Sequence, residues 1–356
     1  MSDTRSALFG ILVGAMVAGC TPCAGDAVCA VGDGLPWGLL SVRAVSPSDV
    51  LVTGSSPDPA ATQGAQPGPA AMHWDGRVWR QIDTGAWDGA ELWWVWADTD
   101  EAVFVGNQGL ILELDRASGD LAAVDGIADD VTFFGVWGAT GEDLWAVGQT
   151  EAANGPPALW RRQGGGWAEF EDATLGPGSD GAVYFKVHGS AADDLWIVGT
   201  GGTALHWDGA ALTDVPTDTE AATATAPLLT VDASGSRPLV VGGAGNGLLL
   251  AWDGSAWRDE SPEFQPGLNG VCAGVGGLEV AVGQAASRVQ RTEGDWESDL
   301  DRGVNLFTRN DWHGCDIDDE GNLWSVGGRI GSRPMGEGVV GYTGAGEPKS
   351  LGSLLE

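Results

Sequence analysis

Lysine is nearly missing from this chain of 356 residues: Lys186 and Lys349 are the only two. Lys+Arg 17 stand against Asp+Glu 50, a formal net charge of −33 at pH 7. That imbalance opposes phosphate backbones and anionic lipid headgroups, and so argues against nucleic acid as a partner. The acidity reads as a solvated, self-repelling surface suited to life outside the cytoplasm. Histidine is scarce too, with 4 copies. No G-x-S-x-G, H-E-x-x-H or phosphate-cradling glycine loop occurs, so no catalytic signature supports an enzyme and no cofactor is expected. Carboxylate pairs such as Asp129-Asp130 and Asp193-Asp194 fall on expected turns. No long helical period follows residue 20, which points away from helices.

What the chain has in excess is glycine, 58 residues, and tryptophan, 18. Glycine without a collagen period means many tight turns, and tryptophan at this level means flat side chains packed between sheets. Seven short apolar runs end in glycine, at Gly54, Gly106, Gly148, Gly199, Gly242, Gly283 and Gly327. Six read apolar-x-Val-Gly, and Leu51-Val52-Thr53-Gly54 is a looser first copy. Their spacings of 52, 42, 51, 43, 41 and 44 residues match a four-stranded module repeated around an axis, a β-propeller. The fold class is all-β with seven blades expected over residues 36–345. Six or eight are the alternatives, because the first copy is degenerate and the end past Gly344 is weak. Residues 346–356 form a tail.

Within a repeat, inner strands such as Ala182 to His188 lead through a turn into Leu195 to Val198. The third strand then ends in Asp-Gly, as in His73-Trp74-Asp75-Gly76, His206-Trp207-Asp208-Gly209 and Ala251-Trp252-Asp253-Gly254, a strong hairpin signal. Trp79 and Trp257 follow two of these turns at the same distance and read as packing between blades. His73 and His206 share one position, which argues for a structural role. The longer spacings mark insertions, Pro57–Pro69 and Glu151–Pro157, that loops at a blade edge could use for recognition.

Arg5 precedes an apolar run from Ala7 to Ala18 that is too short for a permanent membrane span and reads as an export signal. It closes with Val17-Ala18-Gly19-Cys20, which resembles the bacterial lipobox. The resemblance implies a signal peptide over 1–19 and a lipid-modified Cys20 as the new amino terminus. Two acyl signals together anchor firmly. Thr21 stands where an aspartate would retain the protein at the inner membrane, so outer membrane or cell surface is favoured. Residues 20–35, rich in Gly, Ala and Asp, are expected to form the tether.

With Cys20 taken by lipid, Cys23, Cys29, Cys272 and Cys315 remain, an even number. Cys23 with Cys29 would staple the tether. Cys272 and Cys315 lie 11 and 12 residues before the glycines of consecutive repeats, so neighbouring inner strands would bring them together. Among these four, no C-x-x-C pair or spaced His partner supports zinc. Asp316 to Gly321 crowds acidic oxygens around a turn but lacks the closing glutamate of an EF-hand loop, and a tight solvated hairpin accounts for it.

Alignment on the Val-Gly ends places Trp96, Trp137, His188, Asp232, Cys272 and Cys315 at one inner-strand level facing the central channel, with Asp98, Lys186, Arg309 and His313 near a mouth. Trp96, Trp137, His188, Asp232 and His313 are therefore the candidate ligand-binding residues. Segments such as Asp319 to Gly327 and Leu205 to Gly209 resemble repeats of bacterial exported propellers, in the style of the sensor-type and Asp-box propellers, with the Asp-box consensus only partly met. The resemblance specifies fold rather than activity. The chain as a whole reads as an envelope module, expected to be monomeric, that binds or scaffolds a protein or glycan partner, the membrane being reached through the lipid. An envelope hydrolase or lyase at the channel mouth is the alternative.

Overall fold

The computed structural model describes residues 29–55, 68–85, 87, 89–151, 155–171, 182–217, 226–298, 310–330 and 335–344. They form seven four-stranded antiparallel sheets, the blades of a seven-bladed β-propeller. The inner strands are Gly38–Ser46, Leu92–Ala97, Val131–Thr140, Tyr184–Ala191, Leu228–Asp232, Leu268–Ala273 and Asp311–Ile317. In the first six blades the chain steps outward strand by strand. The seventh differs: its outermost strand, Cys29–Leu35, comes from the opposite end of the chain and pairs with Gly336–Thr343. Among the described residues, no helix is long and apolar enough to cross a membrane.

The closing strand is a departure from the sequence expectation, which assigned residues 20–35 to a tether. Cys-Ala-Val-Gly-Asp-Gly-Leu has weak strand propensity, yet Cys29 pairs with Tyr342 and Leu35 with Gly338 across two register shifts. Pairing with a distant edge overrides local composition. Cys20 and Cys23 lie outside the described residues, as do the lipobox and the tail, and of Cys29 only the backbone is described.

The repeated glycines have one steric cause. Each sits opposite a large buried residue at the start of its inner strand, for example Gly148 opposite Phe133 and Gly199 opposite Tyr184. A Cβ at Gly148 would stand 1.9 Å from the Thr132 carbonyl oxygen, and one at Gly199 2.1 Å from that of Val183. All seven motif glycines meet a preceding carbonyl in this way, at 1.9 to 2.1 Å. Immediately afterwards every inner strand carries a register shift, at Leu40, Trp93, Phe134, Phe185, Leu229, Asn269 and His313. Such bulges bend a strand and sharpen its twist.

The hydrophobic core is a ring of seven small cores, one between each pair of adjacent blades. Trp145 of the third blade packs on Trp207 of the fourth at 5.3 Å, Trp196 of the fourth on Trp257 of the fifth at 4.9 Å, and Trp324 of the seventh on Trp79 of the first at 6.2 Å. Trp79 and Trp257 are thus inter-blade packing residues. His73 and His206 bond the carboxylates of Asp49 and Asp194 at 2.8 and 2.7 Å, a structural pairing between second and third strands. The Asp-Gly turns behave as expected, with positive φ at Gly76, Gly209 and Gly254. The Asp318 hairpin is tight but its carboxylate is buried rather than solvated, accepting from the Asn322 backbone and amide and from the Trp324 indole.

Cys272 and Cys315 form a disulfide with Cα atoms 5.8 Å apart, joining the sixth blade to the seventh. The two are offset by one register position: Cys272 pairs with Val280, three residues before its glycine, and Cys315 with Ser325, two before. The bridge closes a separation of 43 residues, which the chain-entropy relation converts to about 4 kcal/mol. The double variant Cys272→Ala with Cys315→Ala should lose that amount in urea unfolding, and the oxidised and reduced wild type should differ by a similar amount.

Candidate functional site

Three residues beyond each bulge, the inner strands present a second ring of equivalent positions near their turns. It consists of Arg43, Trp96, Trp137, His188, Asp232, Cys272 and Asp316, each paired with the residue three before the motif glycine. Six of the seven, all but Cys272, line a cavity of about 450 Å³ at this end of the channel, together with Asp98, Ser190 and Ser234. Four of the expected binding residues, Trp96, Trp137, His188 and Asp232, are therefore brought together. Arg43 and Asp316 are additional members. Their signal was their position 11 residues before Gly54 and Gly327, which also displaces Cys315 from the ring.

His313 sits elsewhere. It occupies the bulge level, and its Nδ1–H donates to the Leu40 carbonyl at 2.5 Å. Its ring lies 6.2 Å from Trp93, which packs on Phe134 at 5.0 Å, and Phe134 on Phe185 at 5.7 Å. These side chains form an aromatic belt at the bulge level. Lys186 fills the level between: it is buried, its ammonium donates to the Phe134 carbonyl at 2.5 Å, and Nζ stands 4.0 Å from the Trp94 ring centroid. Burial pushes the Lys186 ammonium down to about 7, and burial with the Lys186 charge pushes His313 down to about 4. Arg309 lies outside the described residues.

At the mouth the polar groups are fixed from the backbone. The Ala233 N–H donates to His188 Nδ1 at 3.1 Å, which places the imidazole proton on Nε2. Nε2 has no acceptor among the described residues. The ring stacks on Trp137 at 5.2 Å, and burial lowers its pKa against the opposing pull of Asp232, so the imidazole is a neutral donor. Asp232 accepts from the Ser234 N–H at 2.7 Å, the Ser234 hydroxyl at 2.6 Å and the Ala273 N–H at 3.3 Å. Asp316 accepts from Ala44 N–H at 2.7 Å and from Arg43 at 3.2 Å, and burial raises its pKa while Arg43 pulls it back. The Trp96 indole donates to the Gly138 carbonyl at 2.8 Å, which fixes its plane.

The arrangement offers indole faces, one free N–H donor and several carboxylates in one cavity. No family model matches the chain, and no curated protein matches it. Solved structures do. One titled YCF48 bound to D1 peptide aligns with a TM-score of 0.63 at 12% identity, over 90% of this chain and 96% of that one. The WD40 β-propeller domain of Doa1 gives 0.59 at 11%, over 89% and 96%. The extracellular domain of a putative hybrid two-component system from B. thetaiotaomicron gives 0.60 at 11%, over 90% of this chain and 40% of that one. The likeness is one of fold. Among the described residues, no group of three His, Cys, Asp or Glu side chains is placed to hold a metal ion.

Proposed function

We propose that this protein is an exported recognition module of the bacterial cell envelope, held there by lipid on Cys20, that binds a protein partner at the mouth of its channel. The observation that carries the reading is the cavity of about 450 Å³, a size typical of ligand sites, with Trp96, Trp137 and His188 arranged on three rigid adjacent strands. A propeller of the same fold solved with a bound peptide supports a protein partner. The export and lipid elements rest on the apolar run and on Val17-Ala18-Gly19-Cys20. The hydrolase alternative is disfavoured by the local bonding: His188 Nδ1 is taken by a backbone N–H and Asp232 by Ser234 and Ala273, so the two do not form a proton relay.

The test compares native-envelope pull-downs by wild type, by a soluble form starting at Thr21, and by that soluble form carrying Trp137→Ala, with thermal unfolding confirming that all fold. A partner retained by the soluble form and lost at least tenfold by Trp137→Ala is the expected result. Retention by the variant would move the binding surface away from the mouth, and a glycan recovered in place of a protein would change the ligand class. Palmitate labelling abolished by Cys20→Ser is the expected outcome for the anchor.

A further inference from the structure

We infer that the group seated in the mouth is the cationic side chain of a lysine or arginine on an extended basic peptide. The inference rests on the mouth being the binding site and concerns its specificity. The charged residues lining the cavity are Arg43, Asp98, Asp232 and Asp316. Arg43 is already engaged, at 3.2 Å from Asp316 and 3.1 Å from the Ala97 carbonyl. That leaves Asp98 and Asp232 with no cationic partner among the described residues.

Asp232 is the informative one. It is only 7% exposed, and every hydrogen bond it accepts comes from a neutral donor. A buried carboxylate is ordinarily matched by a cation, since desolvating it alone is costly. An incoming ammonium or guanidinium supplies the missing charge. The same cavity presents Trp96 and Trp137, and indole faces attract cations. This channel already contains such a pair, Lys186 over Trp94 at 4.0 Å. The His188 Nε2–H completes the set as a donor for a carbonyl of the ligand's backbone. The net charge of −33 draws basic partners toward the surface and repels acidic ones.

The test uses four short acetylated, amidated glycine-serine peptides whose central residue is lysine, arginine, norleucine or glutamate, followed by intrinsic tryptophan fluorescence and calorimetry. The lysine and arginine peptides should bind at least tenfold more tightly than the norleucine isostere, with affinity falling as salt rises. Asp232→Asn, which keeps an acceptor for Ser234, and Asp98→Asn, at a partly exposed turn, should each weaken the lysine peptide severalfold without changing its ranking above glutamate. Equal binding of norleucine or glutamate, or preference for a neutral oligosaccharide, overturns the cationic specificity while leaving the mouth as the site. Lysine-peptide binding that survives Trp137→Ala unchanged overturns the site itself. Failure of the lysine and arginine peptides to bind at millimolar concentration overturns the specificity.

Discussion

Gly199→Ala should destabilise the protein by at least about 3 kcal/mol, read as a lower midpoint in guanidinium unfolding. The added Cβ would stand 2.1 Å from the Val183 carbonyl oxygen and 3.2 Å from the Tyr184 Cα. Relief requires the two strands to part, and that same oxygen accepts the Thr200 N–H at 2.9 Å. Tyr184, buried opposite, would be displaced with its strand. The backbone is extended at Gly199, so the penalty is collision and not an unusual dihedral. Gly166→Ala is the control, because nothing lies within 4 Å of its Cβ site, and a change within about 0.5 kcal/mol is expected. Equal effects at the two positions would refute the steric explanation of the repeat.

The second large effect concerns Lys186. Its ammonium has a folded pKa of about 7 against an ordinary 10.5, lowered by burial. Below pH 7 the full desolvation cost weighs on the folded state. As pH rises through this interval the folded protein sheds the proton before the unfolded chain does, so stability climbs. The slope approaches about 1.4 kcal/mol per pH unit, giving a gain of about 3 kcal/mol between about pH 7 and 9.5. That window lies below the titration of Tyr184 and Tyr342, both raised to about 12 by burial. Lys186→Met should remove the rise. At pH 7 the variant should also be more stable by about 2 kcal/mol, after allowance for the Phe134 carbonyl that loses its donor. Urea unfolding of both proteins across the window decides it, and a flat wild-type profile would contradict the assignment.

The seven blades were legible because the device that shapes each inner strand leaves a mark in sequence. A carbonyl pressed against the Cα forces glycine, and the apolar residues before it pack between blades. The ring at the mouth was legible in part. Trp96 and Asp232 stand 10 residues before their glycines and Trp137 and His188 stand 11, because the first two hairpins are one residue shorter. Turn length sets register, and a slip of one residue exchanges the channel-facing side chain for the inter-blade one. Attention to the cysteine pair selected Cys315, whereas its neighbour Asp316 holds the ring position. Cys315 instead takes the place that valine fills in the other six blades, as Val271 does beside it. The closing strand was invisible for a different reason: nothing local in Cys29–Leu35 marks it, and its order derives from a partner at the far end of the chain.

That closing strand also fixes a timetable. Cys29 pairs with Tyr342, so this strand waits for a partner made about 310 residues later. At a synthesis rate of about 5 to 20 residues per second the interval is about 15 to 60 s, and export in an unfolded state would lengthen it. Throughout that interval the first blade's side of the seam, with Trp37, Trp74 and Trp79, has no seventh blade to pack against. Until the ring shuts, the nascent protein therefore exposes indoles that the finished fold buries.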